Sequence, residues 1–368
     1  MNREIRSLTS LRGLAAIWVV LFHLVDTIDQ VSARPHVASL FDKGYLAVDF
    51  FFILSGFIIS KKYGPSFSRR FGWQEYIGFL FKRIARIYPL YVAVIVFLIF
   101  YTLIVAGSFI GTAPPPAIIS HNFTVILATN ILMIQAWGIS YSLVIPAWSI
   151  STEWAAYLAF PLLARLWLAC SPSRIWLGAV GLLVLLYVLT RLGPTGNLNL
   201  SYERSPFPLL RCFAGFSLGM LVARWTDSAA PSFPALRDGH WAVAAVILLA
   251  LCSVLPLSDV LLVAAFPMVL LACVNDRGWW SRMLAWLPFY WLGEISYSIY
   301  LVHRPLLEAT EPLADLLRQW LPGPMVASLT EVVVLLLVVG VAQLTYSFIE
   351  QPGRHALQRL SVRQIKPA

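Results

Sequence analysis

The sequence predicts an all-α fold: a polytopic transmembrane helical bundle of about ten spanning helices, with one further re-entrant or half segment. Three observations predict it. The 368 residues are 59% hydrophobic and only 12% charged, far more apolar than a soluble domain of this size needs. Runs of roughly 17–25 apolar residues recur from end to end, each long enough as a helix to cross the hydrocarbon core. The basic residues gather at the ends of these runs, where they fix topology.

The runs are 8–27, 44–60, 85–106, 123–137, 147–170, 174–190, 207–224, 241–256, 259–274, 284–307 and 325–349. The first has the charge pattern of a signal peptide, but no small-residue cleavage site follows, so it reads as an uncleaved span. Both tails are basic, with Arg3 and Arg6 in front and Arg354, Arg359, Arg363 and Lys366 behind. The positive-inside rule then places both termini in the cytoplasm and requires an even number of crossings. The run to set aside is 123–137, "FTVILATNILMIQAW", which is short and contains Asn130 and Gln135.

The remaining crossings put the stretch 60–86 (Lys61, Lys62, Arg69, Arg70, Lys82, Arg83, Arg86), Arg174, Arg224 with Arg237, and Arg277 with Arg282 on the cytoplasmic side. The other side is charge-poor or acidic, as at Glu308, Glu311 and Asp315. The chain reads as a single membrane-embedded domain over 1–368, ending in a basic tail, 351–368. No internal repeat is visible, unlike many transporters.

The net charge of +9 belongs to the span ends, where it faces an anionic leaflet, so membrane lipid and not nucleic acid is the expected partner. Cys170, Cys212, Cys252 and Cys273 lie in or beside apolar runs at spacings that fit neither a zinc site nor a disulfide framework. They read as small hydrophobes, and no metal is expected.

Ionisable groups in hydrocarbon cost a few kcal/mol, so each one kept there is a candidate functional group. In "LRGLAAIWVVLFH", Arg12 and His23 stand eleven residues apart. On a helix that is three turns plus about 20°, so they share a face and are about 16 Å apart along the axis. Arg12 also fits a snorkelling anchor, and His23 a satisfied core histidine. In "GYLAVDFFFILSGFIIS", Asp49 suits either a partner for a histidinium or one for Lys43. In "FKRIARIYPLYV", Arg83 and Arg86 share a helical face, with Lys82 one turn before Arg86. Forked guanidiniums suit phosphates, although topology anchors look the same. "PAWSISTEWAAYLAFP" sets Glu153 early in a helix among Trp148, Ser149, Ser151 and Trp154. "WLGEISYSIYLVHRPLLE" brings Tyr297, Ser298, Tyr300 and His303 into a late span.

On this topology His23, Asp49, Glu153 and His303 lie towards the outer half, and the arginine cluster at the inner face. A histidine beside a carboxylate can take a proton from a hydroxyl. A basic inner face can hold a phosphate-bearing donor. The combination predicts a transferase whose donor enters from the cytoplasm.

Five motifs in order carry a resemblance over about residues 5–350: "LRGLAAIWVVLFH", "GYLAVDFFFILSGF", "KRIARIYPLY", "PAWSISTEWAAYL" and "LGEISYSIYLVHRPL". The sequence resembles the acyltransferase 3 family, integral membrane O-acyltransferases of bacterial sugars and antibiotics. The resemblance implies an acyl-CoA donor, acetyl-CoA by default, and transfer to a carbohydrate or lipid-linked glycan hydroxyl. It makes His23 the catalytic base assisted by Glu153, and assigns Arg12, Arg83 and Arg86, with Lys82 beside them, to the donor. Asp49 would orient the histidine; Trp148, Ser151, Tyr297 and His303 would line the acceptor side. The rival reading is a proton-coupled transporter or flippase for a lipid-linked sugar, since intramembrane acids and histidines also build proton relays.

Overall fold

The computed structural model describes residues 5–29, 41–108, 122–200, 205–229, 243–244, 246–248, 250–251, 258–274, 278–319 and 323–365. Among them every regular element is a helix. The elements are α1 (Arg6–Asp29), α2 (Ala47–Arg69), α3 (Trp73–Ser108), α4 (Phe123–Ile131), α5 (Trp148–Trp167), α6 (Pro172–Leu192), α7 (Phe207–Ala229), α8 (Asp259–Cys273), α9 (Gly278–Leu284), α10 (Leu287–Glu294), α11 (Ser296–Arg318), α12 (Gly323–Thr345) and α13 (Gln351–Ile365). A single π turn, Tyr346–Glu350, joins the last two. The expected span 241–256 lies largely outside the described residues, as do Arg3, Arg237, Cys252, Arg277 and Lys366.

Among the described residues, six helical stretches are long and apolar enough to cross a bilayer: Arg6–Leu24, Gly44–Arg69, Trp73–Leu103, Ser173–Leu192, Phe207–Ser228 and Leu329–Arg359. The chain is an all-α membrane protein.

One expectation needs correction, the single span 284–307. The stretch 60–86 is almost wholly helical. α2 runs on to Arg69 and α3 starts at Trp73, so only Arg70, Phe71 and Gly72 connect them. The run 284–307 is not one helix. It breaks at Ile295, where the Ser296 hydroxyl turns back onto the Gly293 carbonyl at 2.7 Å. A serine that bonds its own preceding turn competes with helix continuation. The tail 351–368 is helical as far as Ile365.

The segment 123–137 is a half element. α4 has nine residues, too short to span, and turns follow it. Asn130 holds these turns. Its amide donates to the carbonyls of Ile126 and Tyr141, both at 2.8 Å, and its side-chain oxygen accepts from the Leu143 amide at 2.9 Å. The polar residues that weakened this run as a span are the ones that satisfy its irregular backbone.

The chain clusters into two compact units. The first comprises 1–72, 159–200 and 210–296; the second comprises 73–158, 201–209 and 297–368. In the first, α2 and α7 cross at small residues. A Cβ on Gly219 would overlap the Ile53 carbonyl and lie 2.8 Å from the Phe57 nitrogen, and one on Gly56 would overlap the Phe216 carbonyl. Gly215 and Gly219 make a small-xxx-small pair, the pattern that lets membrane helices approach backbone to backbone. In the second, Tyr91 of α3 fastens the half element, donating to the Asn130 carbonyl at 2.9 Å and accepting from Gln135 at 3.3 Å.

Candidate active site

The second unit gathers charged and phenolic side chains from five elements. α3 supplies Arg83 and Arg86, one turn apart and both half-buried. Arg83 lies over the Phe79 ring, 5.9 Å from its centroid, and the edge of the Tyr157 ring packs on that same phenyl. α5 supplies Glu153 and, one turn on, Tyr157, whose hydroxyl donates to Glu153 within the field of both arginines. α11 supplies Tyr297 and Ser298. Tyr297 donates to the Ile87 carbonyl at 2.7 Å and lies within electrostatic range of Arg86, Glu153 and Glu350. The π turn and the start of α13 supply Glu350 and Arg354, both in the field of Arg86.

Arg83, Arg86, Glu153 and Tyr297 are thus brought together. Glu153 had been assigned to the outer half, away from the arginines; it belongs to their cluster instead. It stands only two turns into α5, and its Tyr157 partner carries its reach to α3. Lys82, one residue before Arg83, is exposed.

The other expected acceptor-side residues of this unit are committed within the protein. The Ser151 hydroxyl accepts from the Ala136 amide at 3.1 Å, and its carbonyl accepts from the Trp137 indole at 2.9 Å, docking the half element's turns on α5. Trp148 is buried. His303 has no exposed surface, and its Nδ1 meets the Tyr300 carbonyl at 2.7 Å; the Tyr300 hydroxyl is held between Ser149 and the Pro146 carbonyl.

The first unit holds Arg12, His23 and Asp49. α1 is continuous across Arg12 and His23, so the shared face read from their spacing stands. Arg12 donates to the Ser296 hydroxyl at 3.2 Å. The His23 ring packs on Phe22, centroids 4.8 Å apart, and Phe22 packs edge-on against Tyr45 at 5.6 Å. The Tyr45 hydroxyl donates to Asp259 at 2.8 Å, and Lys43 bonds the same carboxylate at 2.6 Å.

Asp49 has a partner that neither alternative foresaw. Both its oxygens accept from Arg211, from Nε at 2.9 Å and from a terminal nitrogen at 2.6 Å. Lys43, the expected local partner, is taken by Asp259. The cause is burial: a carboxylate with no exposure needs a forked, permanent countercharge. Arg211, Tyr157, Glu350 and Arg354 are the residues sequence reading missed or misassigned. Arg211 carried a usable signal, a lone arginine inside an apolar run.

A carboxylate–phenol pair beside guanidiniums suits a reaction in which a proton moves while an anionic ligand is held. The family model described as "acyltransferase domain" matches residues 5–346. The chain belongs to the acyltransferase 3 family.

Its relatives in the family include "Acyltransferase MdmB" of Streptomyces mycarofaciens, 27% identical over 81% of this chain and 77% of that protein. "Putative peptidoglycan O-acetyltransferase YrhL" of Bacillus subtilis is 24% identical over 96% of this chain and 55% of its own length. "Peptidoglycan O-acetyltransferase OatA" of Listeria monocytogenes is 24% identical over 96% and 56%. The chain thus spans little more than half of the two peptidoglycan enzymes. No solved structure matches. Of the cluster in the second unit, Arg83, Arg86, Glu153, Tyr157 and Tyr297 lie inside the matched acyltransferase 3 stretch; Glu350 and Arg354 lie just past it.

Proposed function

We propose that this protein is a membrane O-acyltransferase that moves an acyl group, acetyl by default, from acyl-CoA to a hydroxyl of a carbohydrate such as an exopolysaccharide, O-antigen or oligosaccharide. The observation that carries the reading is the cluster of Arg83 and Arg86 with the Glu153–Tyr157 pair, in a chain of this family. Guanidiniums that cannot lose their charge are suited to donor phosphates. The relatives' names supply the acetyl group and the glycan acceptor as the nearest chemistry.

In this reading Arg83 and Arg86 hold the donor phosphates, with Lys82 beside them at the aqueous edge. Arg12 acts on the donor along α1. His23 takes the proton from the acceptor hydroxyl. The oxygen attacks the thioester carbonyl, the carbon–sulfur bond breaks, and coenzyme A leaves as a thiol after recovering a proton. Glu153, aligned by Tyr157, is the assisting carboxylate. Asp49 serves as the buried half of an ion pair rather than as an acid or base. Ten crossings, with both termini in the cytoplasm of a bacterial inner membrane, complete the reading.

The test is purified protein in proteoliposomes, supplied with acetyl-CoA and a panel of cell-surface glycans. Free coenzyme A should appear together with an ester on one glycan. Glycan flux with no thiol release would instead identify a transporter. Deleting the gene and analysing surface glycans by mass spectrometry should reveal the missing ester and so the acceptor.

A further inference from the structure

Where α12 ends, the helix changes its winding. Pro352 has no amide proton, and its ring would press on the carbonyl four residues back, at Phe348. The chain answers with the π turn Tyr346–Glu350, closed by the Gln351 amide on the Tyr346 carbonyl. Such insertions re-aim the side chains that follow, and they recur at functional sites. Here Glu350 is buried, while Gln351 and Pro352 are exposed. The Glu350 carboxylate accepts from the Ser298 hydroxyl at 2.7 Å.

Gly353 follows. A Cβ there would sit 2.5 Å from the Pro89 side chain, so α13 rests directly on α3, one turn past Arg86. That approach puts Arg354 in the field of Arg86, alongside Arg83 and Glu350. Three guanidiniums therefore face two carboxylates, Glu153 and Glu350. The cluster has an excess of positive charge that a phosphate would offset, and phosphate oxygens match the guanidinium fork. Arg354 is exposed while Arg83 and Arg86 are half-buried.

We propose that Arg354 is a third phosphate ligand beside Arg83 and Arg86. The proposal rests on the acyl-CoA reading above and adds Arg354, which sequence analysis gave to topology alone. The shared ligand chemistry is a phosphate, which a donor nucleotide or a lipid headgroup could equally supply.

The experiment measures binding of coenzyme A, 3′-dephospho-coenzyme A and pantetheine to the full chain in nanodiscs, in neutral phosphatidylcholine alone and with phosphatidylglycerol added. Arg354→Gln should raise the Kd for coenzyme A about tenfold in both lipids, the scale of one charged hydrogen bond, and leave pantetheine binding unchanged. Arg359→Gln, an equal change in charge on the same helix, should leave all three ligands unaffected. An Arg354→Gln effect shared by pantetheine, or seen only with phosphatidylglycerol, would overturn the donor-phosphate assignment. A wild-type chain that neither binds coenzyme A nor releases it from acetyl-CoA would sink the functional reading itself. A wild-type chain that binds it while Arg354→Gln binds it equally would sink this inference alone.

Discussion

Arg211 grips Asp49 with Nε and one terminal nitrogen, at 2.9 and 2.6 Å, and neither side chain is exposed. The same terminal nitrogen also donates to the Tyr45 carbonyl at 3.0 Å, which ties α7 to the turn that precedes α2. Removing one member of a buried pair strands the other. Asp49→Asn should therefore destabilise the protein by about 3–5 kcal/mol, read as a lower Tm in detergent or nanodiscs. Replacing both members, Asp49→Leu with Arg211→Met, should recover most of that loss. A double variant as unstable as the single would mean the pair is not the cause.

The backbone contact between α2 and α7 is equally specific. Gly219→Ala puts a methyl group where the Ile53 carbonyl lies. Overpacking costs typically about 1–3 kcal/mol, and here both partners are main chain and give little. The Tm should fall by several degrees, while Gly181→Ala, whose Cβ would meet nothing within 4 Å, should leave it unchanged.

His23 tests the chemistry. His23→Ala should reduce acyl transfer by about 10²–10⁴-fold, the usual contribution of a general base, with membrane insertion and Tm preserved. Activity retained in full would remove His23 from the mechanism.

Tyr157 tests how Glu153 is held. Tyr157→Phe keeps the ring against Phe79 and removes only the hydroxyl that donates to Glu153. Losing one charged hydrogen bond should lower kcat by about tenfold, leave the Kd for coenzyme A near that of wild type, and shift Tm little. A change confined to Kd would assign the phenol to the donor instead.

Much of the fold was legible because hydrophobic runs and their basic ends are local properties. The weakness of 123–137 could be read from Asn130 and Gln135 alone. The helical length of 60–86 was not legible. Charges there marked the end of the apolar run, and Gly64–Pro65 reads as a helix stop, yet the helix carries Pro65 inside it and runs on to Arg69. In the site, Arg83 with Arg86 stood out because a motif repeats a rare residue at helical spacing. Glu153 was found but set apart from the arginines, because its place was inferred from charge topology and not from its tyrosine partner. Arg211 meets Asp49 across 162 positions of sequence, a distance over which periodicity carries no information. Glu350 depends on a π turn, and no sequence period reports one.

The half element has a consequence for how the chain is made. Its turns are held partly by Tyr91, synthesised earlier, which donates to the Asn130 carbonyl, and partly by groups synthesised later: the Ser151 hydroxyl accepts from the Ala136 amide and the Ala147 carbonyl from the Gln135 side chain. Lipid offers such groups no hydrogen bonds. Until residue 151 has been added, this stretch lacks the partners that Ala147 and Ser151 supply, so its final fold follows the order in which partners become available and not the order of the chain.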